Sequence, residues 1–301
     1  MTQDPRPFGR LLTAMVTPFA PDGSLDVDGA QKLAAHLVDH QRNDALVISG
    51  TGGESPTTTD AEKETLIRAV VEAVGDRARI VAGVGTNNTA HTVELARSAE
   101  KAGAHGLLVV TPYYNKPPQS GLIRHFTTVA DATGLPVMLY DIPHRSGVPI
   151  ATETLLRLAE HPAIVAVKDA KGDLAGSARV MAQSNLAYYS GEDAATLPWL
   201  SIGAVGVVGT STHLIGAPTQ DMISAYERGE TATALALHRQ LLPLFTGIFR
   251  TQGTILVKAG LTLLGLPAGP VRSPLVDATE AETNQLIEDA AAAGLSLGAH
   301  D

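Results

Sequence analysis

Eight short apolar runs, separated by stretches with helical spacing, constrain this chain more than any other feature of it. The runs are "LLTAMVTPF", "DALVISG", "RIVAGVG", "GLLVVTPYY", "PVMLYDIP", "IVAVKDA", "LAYYSGED" and "GAVGVVGTS". Most lack the strict apolar–polar alternation of a half-exposed strand, which fits strands buried on both faces. Between them, "DVDGAQKLAAHLVDHQ", "TTDAEKETLIRAVVEAVGD", "NTAHTVELARSAEKAGAH", "SGLIRHFTTVADATG" and "ATETLLRLAEHP" carry helical periodicity. Thr59 and Asp60 are capping candidates for the second of these, which ends at Gly75. The connections before the last two runs are shorter. Eight strand–helix repeats predict an α/β fold, a (β/α)8 TIM barrel. An open doubly wound sheet would bring about six strands and a glycine fingerprint after the first. Here the first run leads into "VTPFAPDGSLD", which has no such fingerprint. The catalytic barrel is expected over residues 1–230. A C-terminal helical region, 231–301, then reads as three more helices joined through "LPAGPVRSPLV".

Composition narrows the function. The net charge is −9 with no basic stripe, a poor match to nucleic acid or an anionic membrane. Hydrophobic residues make up 44% and charged ones 18%, enough for a sizeable core and too apolar for disorder. The absence of cysteine removes disulfides, zinc–thiolate sites, iron–sulfur clusters and thiol nucleophiles together. No run of about 18 apolar residues occurs, and "MTQDPRPFGR" lacks the apolar core of a secretory signal. The expectation is a cytoplasmic protein.

Barrel active sites sit at the C-terminal ends of the strands, so the residues just after each run are the informative ones. Lys168 ends the sixth run. It reads either as a Schiff-base nucleophile, its amine kept partly unprotonated by burial, or as a partner of Asp169 at a strand end. Lys171, in the turn "DAKGD", reads as a solvated lysine. Tyr140 closes the fifth run and Tyr113–Tyr114 the fourth. A phenol there either relays protons or only packs. The loop "GTGGES", Gly50 to Ser55, offers free backbone N–H groups of the kind that hold a carboxylate or phosphate, or it is simply a strand-to-helix turn. It lacks the G-K-[ST] ending of a phosphate-binding P-loop. Arg145 can clamp a carboxylate or form a surface ion pair. The small residues of "GAVGVVGTS" either admit a ligand or close the barrel tightly. His36 and His40 have metal-ligand spacing without a third ligand, and "SGED" is an acidic turn without partner carboxylates, so no metal is expected.

Together, "GTGGES", "TPYYNKPP", "YDIPHRSG" and "VKDAKGD" resemble, in order and spacing over residues 8 to 260, the motifs of the dihydrodipicolinate synthase family. That family belongs to the pyruvate-dependent class I aldolase group that includes N-acetylneuraminate lyase. The C-terminal helices match only loosely. The resemblance implies a barrel with a helical C-terminal region, usually a homotetramer, and no cofactor. It implies an imine between Lys168 and pyruvate, whose enamine attacks aspartate semialdehyde to give 4-hydroxy-tetrahydrodipicolinate, a lysine-pathway intermediate. It also implies that Thr51, Tyr140 and Tyr114 form a proton relay, with Tyr114 reaching into a neighbouring subunit's site. Arg145 would receive the semialdehyde's carboxylate, and Gly191 and Val208 would line the pocket.

The chain departs from the family in several places. Gly52 stands where the family carries a threonine whose hydroxyl helps hold the pyruvate carboxylate, a loss of about 1–3 kcal/mol if nothing replaces it. His144 stands where a small residue is expected, at the second-substrate entrance. Ser55, Asn87 and Tyr113 match the lysine-inhibition site of some members. His91 replaces an acidic residue there, and Asp60 and Lys63 replace histidines, so inhibition by lysine is expected to be weak or absent. Two other readings remain: a related pyruvate lyase acting on a sugar acid or hydroxy-keto acid, and a non-catalytic binding protein on the same barrel. Arg145 favours the synthase over the lyase. Retention of Lys168, Tyr140, Tyr114 and Thr51 together argues against the binding protein.

Overall fold

A computed structural model describes residues 5–298. The eight apolar runs form eight parallel strands: β1 (Leu11–Ala14), β2 (Ala45–Ile48), β3 (Arg79–Gly83), β4 (Gly106–Val110), β5 (Val137–Asp141), β6 (Ile164–Asp169), β7 (Ala187–Ser190) and β8 (Gly206–Gly209). Each hydrogen-bonds to the next, and β8 closes onto β1 with Val208 opposite Leu12. The lack of alternation in the sequence has its explanation here, because both faces of every strand are covered. Leu12, Val47, Val81, Met138, Ala166 and Tyr189 fill the barrel interior. Their neighbours Leu11, Leu46, Ile80, Leu139, Val167 and Tyr188 point outward to the helices.

The helices follow the strands in turn: α1 (Val27–Asp39), α2 (Asp60–Val74), α3 (Thr89–Lys101), α4 (Gln119–Ala130), α5 (Pro143–Ser146), α6 (Thr152–Leu158), α7 (Leu174–Gln183), α8 (Thr196–Ser201) and α9 (Thr212–Glu227). At the start of α2, Thr59 caps as expected, its hydroxyl accepting from Glu62 N while the Glu62 carboxylate accepts from Thr59 N. Such a cap is worth about 1 kcal/mol. The short helix expected before the last strand is α8, whose Trp199 stacks on Tyr188 with ring centroids 6.0 Å apart.

Three further helices complete the chain, α10 (Thr231–Gly247), α11 (Gly253–Leu263) and α12 (Glu280–Ala292). Helix α10 packs on α9 and α12, and α11 packs on the same two. Phe245, Phe249, Gln252 and Thr254, from α10, α11 and the turn between them, reach over the C-terminal mouth of the barrel. Among the described residues, no helix is long and apolar enough to cross a membrane.

Candidate active site

The alternation of β6 decides what its two terminal residues do. Lys168 points into the barrel, and Asp169 points to the outer face. There Asp169 accepts from the N–H groups of Lys171 and Gly172, at 2.8 and 3.0 Å, and from the Ser177 hydroxyl at 3.0 Å. A Lys168–Asp169 pair is therefore not formed. The turn lysine is also not solvated as the sequence suggested. Lys171 Nζ lies 3.2 Å from the buried Asp141 carboxylate and donates to Ile150 O at 3.1 Å. Burial outweighs this pairing and raises the Asp141 carboxyl to about 6.

Lys168 opens onto a cavity of about 390 Å³ lined by Thr51, Gly52, Tyr140, Arg145 and Gly191 among others. The ammonium is almost fully buried, and its Nζ lies 4.2 Å from the Tyr140 ring centroid. Burial pulls its pKa down to about 8; the nearby Asp193 carboxylate opposes this and the Arg145 guanidinium assists it. The register that pairs Tyr140 with Lys168 across β5 and β6 sets the two side chains next to each other. Burial raises the Tyr140 phenol well above its ordinary range, against the Arg145 charge and a hydrogen bond with the Thr51 side chain. Phenol, threonine hydroxyl and amine thus stand in one pocket, with the guanidinium at its rim on α5. His144 lines the same pocket from the neighbouring position.

The glycine loop after β2 forms the opposite wall. Four successive carbonyls are occupied: Gly50 O by Ser55 N, Thr51 O by Glu54 N, Gly52 O by the Thr254 hydroxyl and Gly53 O by the Thr17 hydroxyl. Among the described residues, the N–H groups of Thr51 and Gly52 have no protein acceptor. Carbonyls tied back and N–H groups left free are what a carboxylate site on a backbone nest requires. The glycine at position 52 also has a steric reason. A Cβ there would stand 2.7 Å from Ala14 O, so a side chain has no room without movement of the end of β1.

The loop is anchored from behind. Glu54 adopts a left-handed backbone, φ 56°, which costs a non-glycine residue about 1–2 kcal/mol. Its carboxylate is held by Lys258 Nζ at 2.7 Å and by Arg272 N at 2.8 Å. Lys258 also donates to Pro270 O at 2.8 Å and stands 4.3 Å from the Phe19 ring centroid.

The other sequence candidates fall as follows. Gly191 lines the main cavity, where a Cβ would approach Asp169 O to 2.9 Å. Val208 lies in the barrel interior and lines neither this cavity nor a second one, of about 250 Å³, that shares Thr51, Tyr140 and Arg145 and extends to Tyr113. Tyr114 is 89% exposed with φ 75° and does not reach the cavity of its own chain.

Sequence reasoning passed over Asp193, Thr254, Glu54 and Lys258. Asp193 is buried and accepts from Thr210 N, Ser211 N and the Ser211 hydroxyl, the last at 2.5 Å. It closes the seventh run, where "SGED" reads in the sequence only as an acidic turn without metal partners. Thr254, Glu54 and Lys258 meet only through contacts some two hundred residues apart in the chain, for which no local pattern exists.

Known proteins share this architecture. A profile of the Dihydrodipicolinate synthetase family matches residues 7–293. The 4-hydroxy-tetrahydrodipicolinate synthase of Acidothermus cellulolyticus is 70% identical over 97% of this chain and 94% of that protein. The protein called 4-hydroxy-tetrahydrodipicolinate synthase 2 in Streptomyces coelicolor is 64% identical over 97% of each. A crystal structure of DHDPS from Cyanidioschyzon merolae with lysine bound superposes with a TM-score of 0.94 at 44% identity, covering 96% of this chain and 99% of that one. With the sequence motifs, the closed barrel and the buried strand-end lysine in agreement, the chain belongs to the dihydrodipicolinate synthetase family.

Proposed function

We propose that this chain is a 4-hydroxy-tetrahydrodipicolinate synthase, a lyase that condenses pyruvate with L-aspartate 4-semialdehyde through an imine on Lys168. The observation that carries the reading is the Lys168 amine, buried at the end of β6, its pKa pulled down to about 8, and set beside Tyr140. The free amine adds to the keto carbon of pyruvate, and loss of water leaves the imine. Protonated, the imine withdraws electrons from the methyl carbon, which gives up a proton and becomes the enamine carbon. That carbon forms a bond to the aldehyde carbon of the semialdehyde, whose oxygen takes a proton and becomes the 4-hydroxyl. The semialdehyde's own amine then attacks the imine carbon, closes the ring and displaces Lys168. The balance is one water released for each pyruvate and semialdehyde joined.

The roles divide along the walls of the cavity. The Thr51 and Gly52 N–H groups receive the pyruvate carboxylate, and Arg145 receives that of the semialdehyde. Tyr140, with its raised pKa and its Thr51 contact, exchanges protons with the imine nitrogen and the new hydroxyl. Gly191 leaves room for the second substrate, and Val208 supports the site from within the barrel. Tyr114 completes the relay in a second copy of the chain, for which its exposed, left-handed position is suited, within a homotetramer. A cytoplasmic location goes with this reading. The test is direct: purified protein given pyruvate and aspartate semialdehyde should form the cyclic product. Turnover with a sugar-acid or hydroxy-keto-acid substrate but not with the semialdehyde would replace this activity by a related lyase.

A further inference from the structure

We infer that Thr254, on helix α11 of the C-terminal region, is a positioning residue for keto-acid binding, holding in place a backbone nest that Gly52 cannot hold for itself. The inference rests on the keto-acid reading of the cavity and adds to it the element that shapes the carboxylate site.

Gly52 and Gly53 stand side by side in the loop after β2. Two adjacent glycines form the most permissive stretch of backbone a chain can have, and ordering them carries the largest conformational cost. Neither has a side chain with which to fix itself. A nest needs its N–H groups aimed at one point, so something else must fix the peptide planes. Two hydroxyls do so. Thr17, just after β1, donates to Gly53 O at 2.6 Å, and Thr254, at the start of α11, donates to Gly52 O at 3.1 Å. Both threonines are buried, and Thr254 lines the cavity onto which Lys168 opens. The Thr254 hydroxyl is fixed in turn by its helix. Its N–H donates to the Gln252 side chain at 2.7 Å, which caps α11.

One turn further along α11, Lys258 grips the Glu54 carboxylate. The helix thus holds the loop at two points, Gly52 and Glu54, through residues spaced four apart on one face. The C-terminal region is therefore part of the machinery that binds the keto acid. The hydroxyl that position 52 lacks in its own side chain is supplied to the loop from 202 residues away. Restoring a side chain at 52 is blocked by Ala14 O, whereas pinning the carbonyl from the far side is not.

The test replaces the hydroxyl by a methyl of the same shape. Wild-type, Thr254→Val and Thr254→Ser proteins are incubated over a range of pyruvate concentrations and reduced with borohydride. The trapped fraction is read by intact mass, and KM for pyruvate and kcat are measured alongside. Loss of one buried hydrogen bond that orders the nest should raise the half-saturating pyruvate concentration of Thr254→Val about five- to thirty-fold. The kcat at saturating pyruvate should stay within about twofold, and Thr254→Ser should behave as wild type. If Thr254→Val does not fold, Thr254→Ala carries the same comparison. Half-saturation in the folded hydroxyl-free variant equal to wild type overturns the inference alone. So does a fall in kcat shared by the serine variant. A wild-type protein that traps no pyruvate overturns the keto-acid reading, and this inference with it.

Discussion

Two lysines in this protein are almost equally buried, Lys168 at the barrel mouth and Lys258 at the seam between the barrel and α11, with 5% and 3% of their surface exposed. Burial lowers the pKa of both. The difference lies in what opposes it. Lys258 has a carboxylate at 2.7 Å, a carbonyl at 2.8 Å and the face of Phe19. Lys168 has the Tyr140 ring and the more remote charge of Asp193, which is itself occupied by Thr210 and Ser211. Burial with compensation makes a structural cation. On the proposed reading, burial without it makes the amine that attacks carbon, and so sets Lys168 apart from Lys258. Asp169 and Asp141 sharpen the contrast, because both carboxylates, next to Lys168 and Tyr140 on their strands, turn outward and are engaged there, Asp169 by Ser177 and Asp141 by Lys171.

The contrast breaks most visibly by substitution. Lys168→Ala should remove at least about a thousand-fold of the activity while leaving the fold intact, since it deletes the covalent step and relieves an uncompensated burial. Lys258→Met should act first on stability, with the Lys168 adduct still able to form. It leaves the Glu54 carboxylate buried without its cation, at a cost of about 3–5 kcal/mol in stability, and the double variant with Glu54→Gln should recover part of that loss. Denaturant unfolding and steady-state rates on the same samples separate the two effects.

The next largest effect concerns Tyr140, the neighbour of Lys168. Tyr140→Phe keeps the ring against Lys168 and removes only the hydroxyl, so kcat should fall about 10²- to 10⁴-fold while the pyruvate adduct still forms. Loss of the adduct as well would mean that the hydroxyl is needed already for imine formation, and not only for the proton transfers that follow it.

A smaller effect is the pH profile. A lysine whose amine titrates near 8 is charged below that value and free above it. Imine formation should therefore rise with pH through about 8 and level off above it. Replacing Glu54 or Lys258 should not move that limb. The smallest effect expected is that of free lysine. His91 Nε2 lies 2.8 Å from Asp60, and Lys63 donates to Thr58 O at 2.6 Å, so an imidazole and an ammonium stand at the positions where the resemblance puts the lysine site of inhibited members. Lysine at about 1 mM should leave the rate within about twofold, near the level of an exposed charge pair. Inhibition developing below that concentration would show that the exchange of residues left the site intact.

Much of this was legible in the sequence because the barrel advertises itself. Eight runs buried on both faces cannot alternate, and the polar residues that interrupt them at their C-terminal ends, Lys168, Tyr140 and the "GTGGES" loop, gather at one mouth by topology alone. What the sequence concealed depends on side-chain direction and on long-range contact. Whether Lys168 pairs with Asp169 is decided by strand alternation at a single residue, and Lys171 looks solvated until β5 brings Asp141 to it. The C-terminal helices carry ordinary helical periodicity, and nothing in "GTILVKAGL" announces that its threonine and lysine grip a loop after the second strand. The glycine at position 52 reads as a lost hydroxyl in the sequence. In the fold it is a place where β1 leaves no room for a side chain, and where two hydroxyls arrive from elsewhere.

The most direct measurement of the central claim is borohydride trapping with peptide mapping, run on wild type, Lys168→Ala and Lys258→Met in parallel. The uncompensated lysine should be the one that reacts: pyruvate and reductant should leave a single stable adduct mapped to Lys168 in the wild type and in Lys258→Met, and none in Lys168→Ala. An adduct on Lys258 or Lys171, or the same adduct mass surviving in Lys168→Ala, would contradict the account.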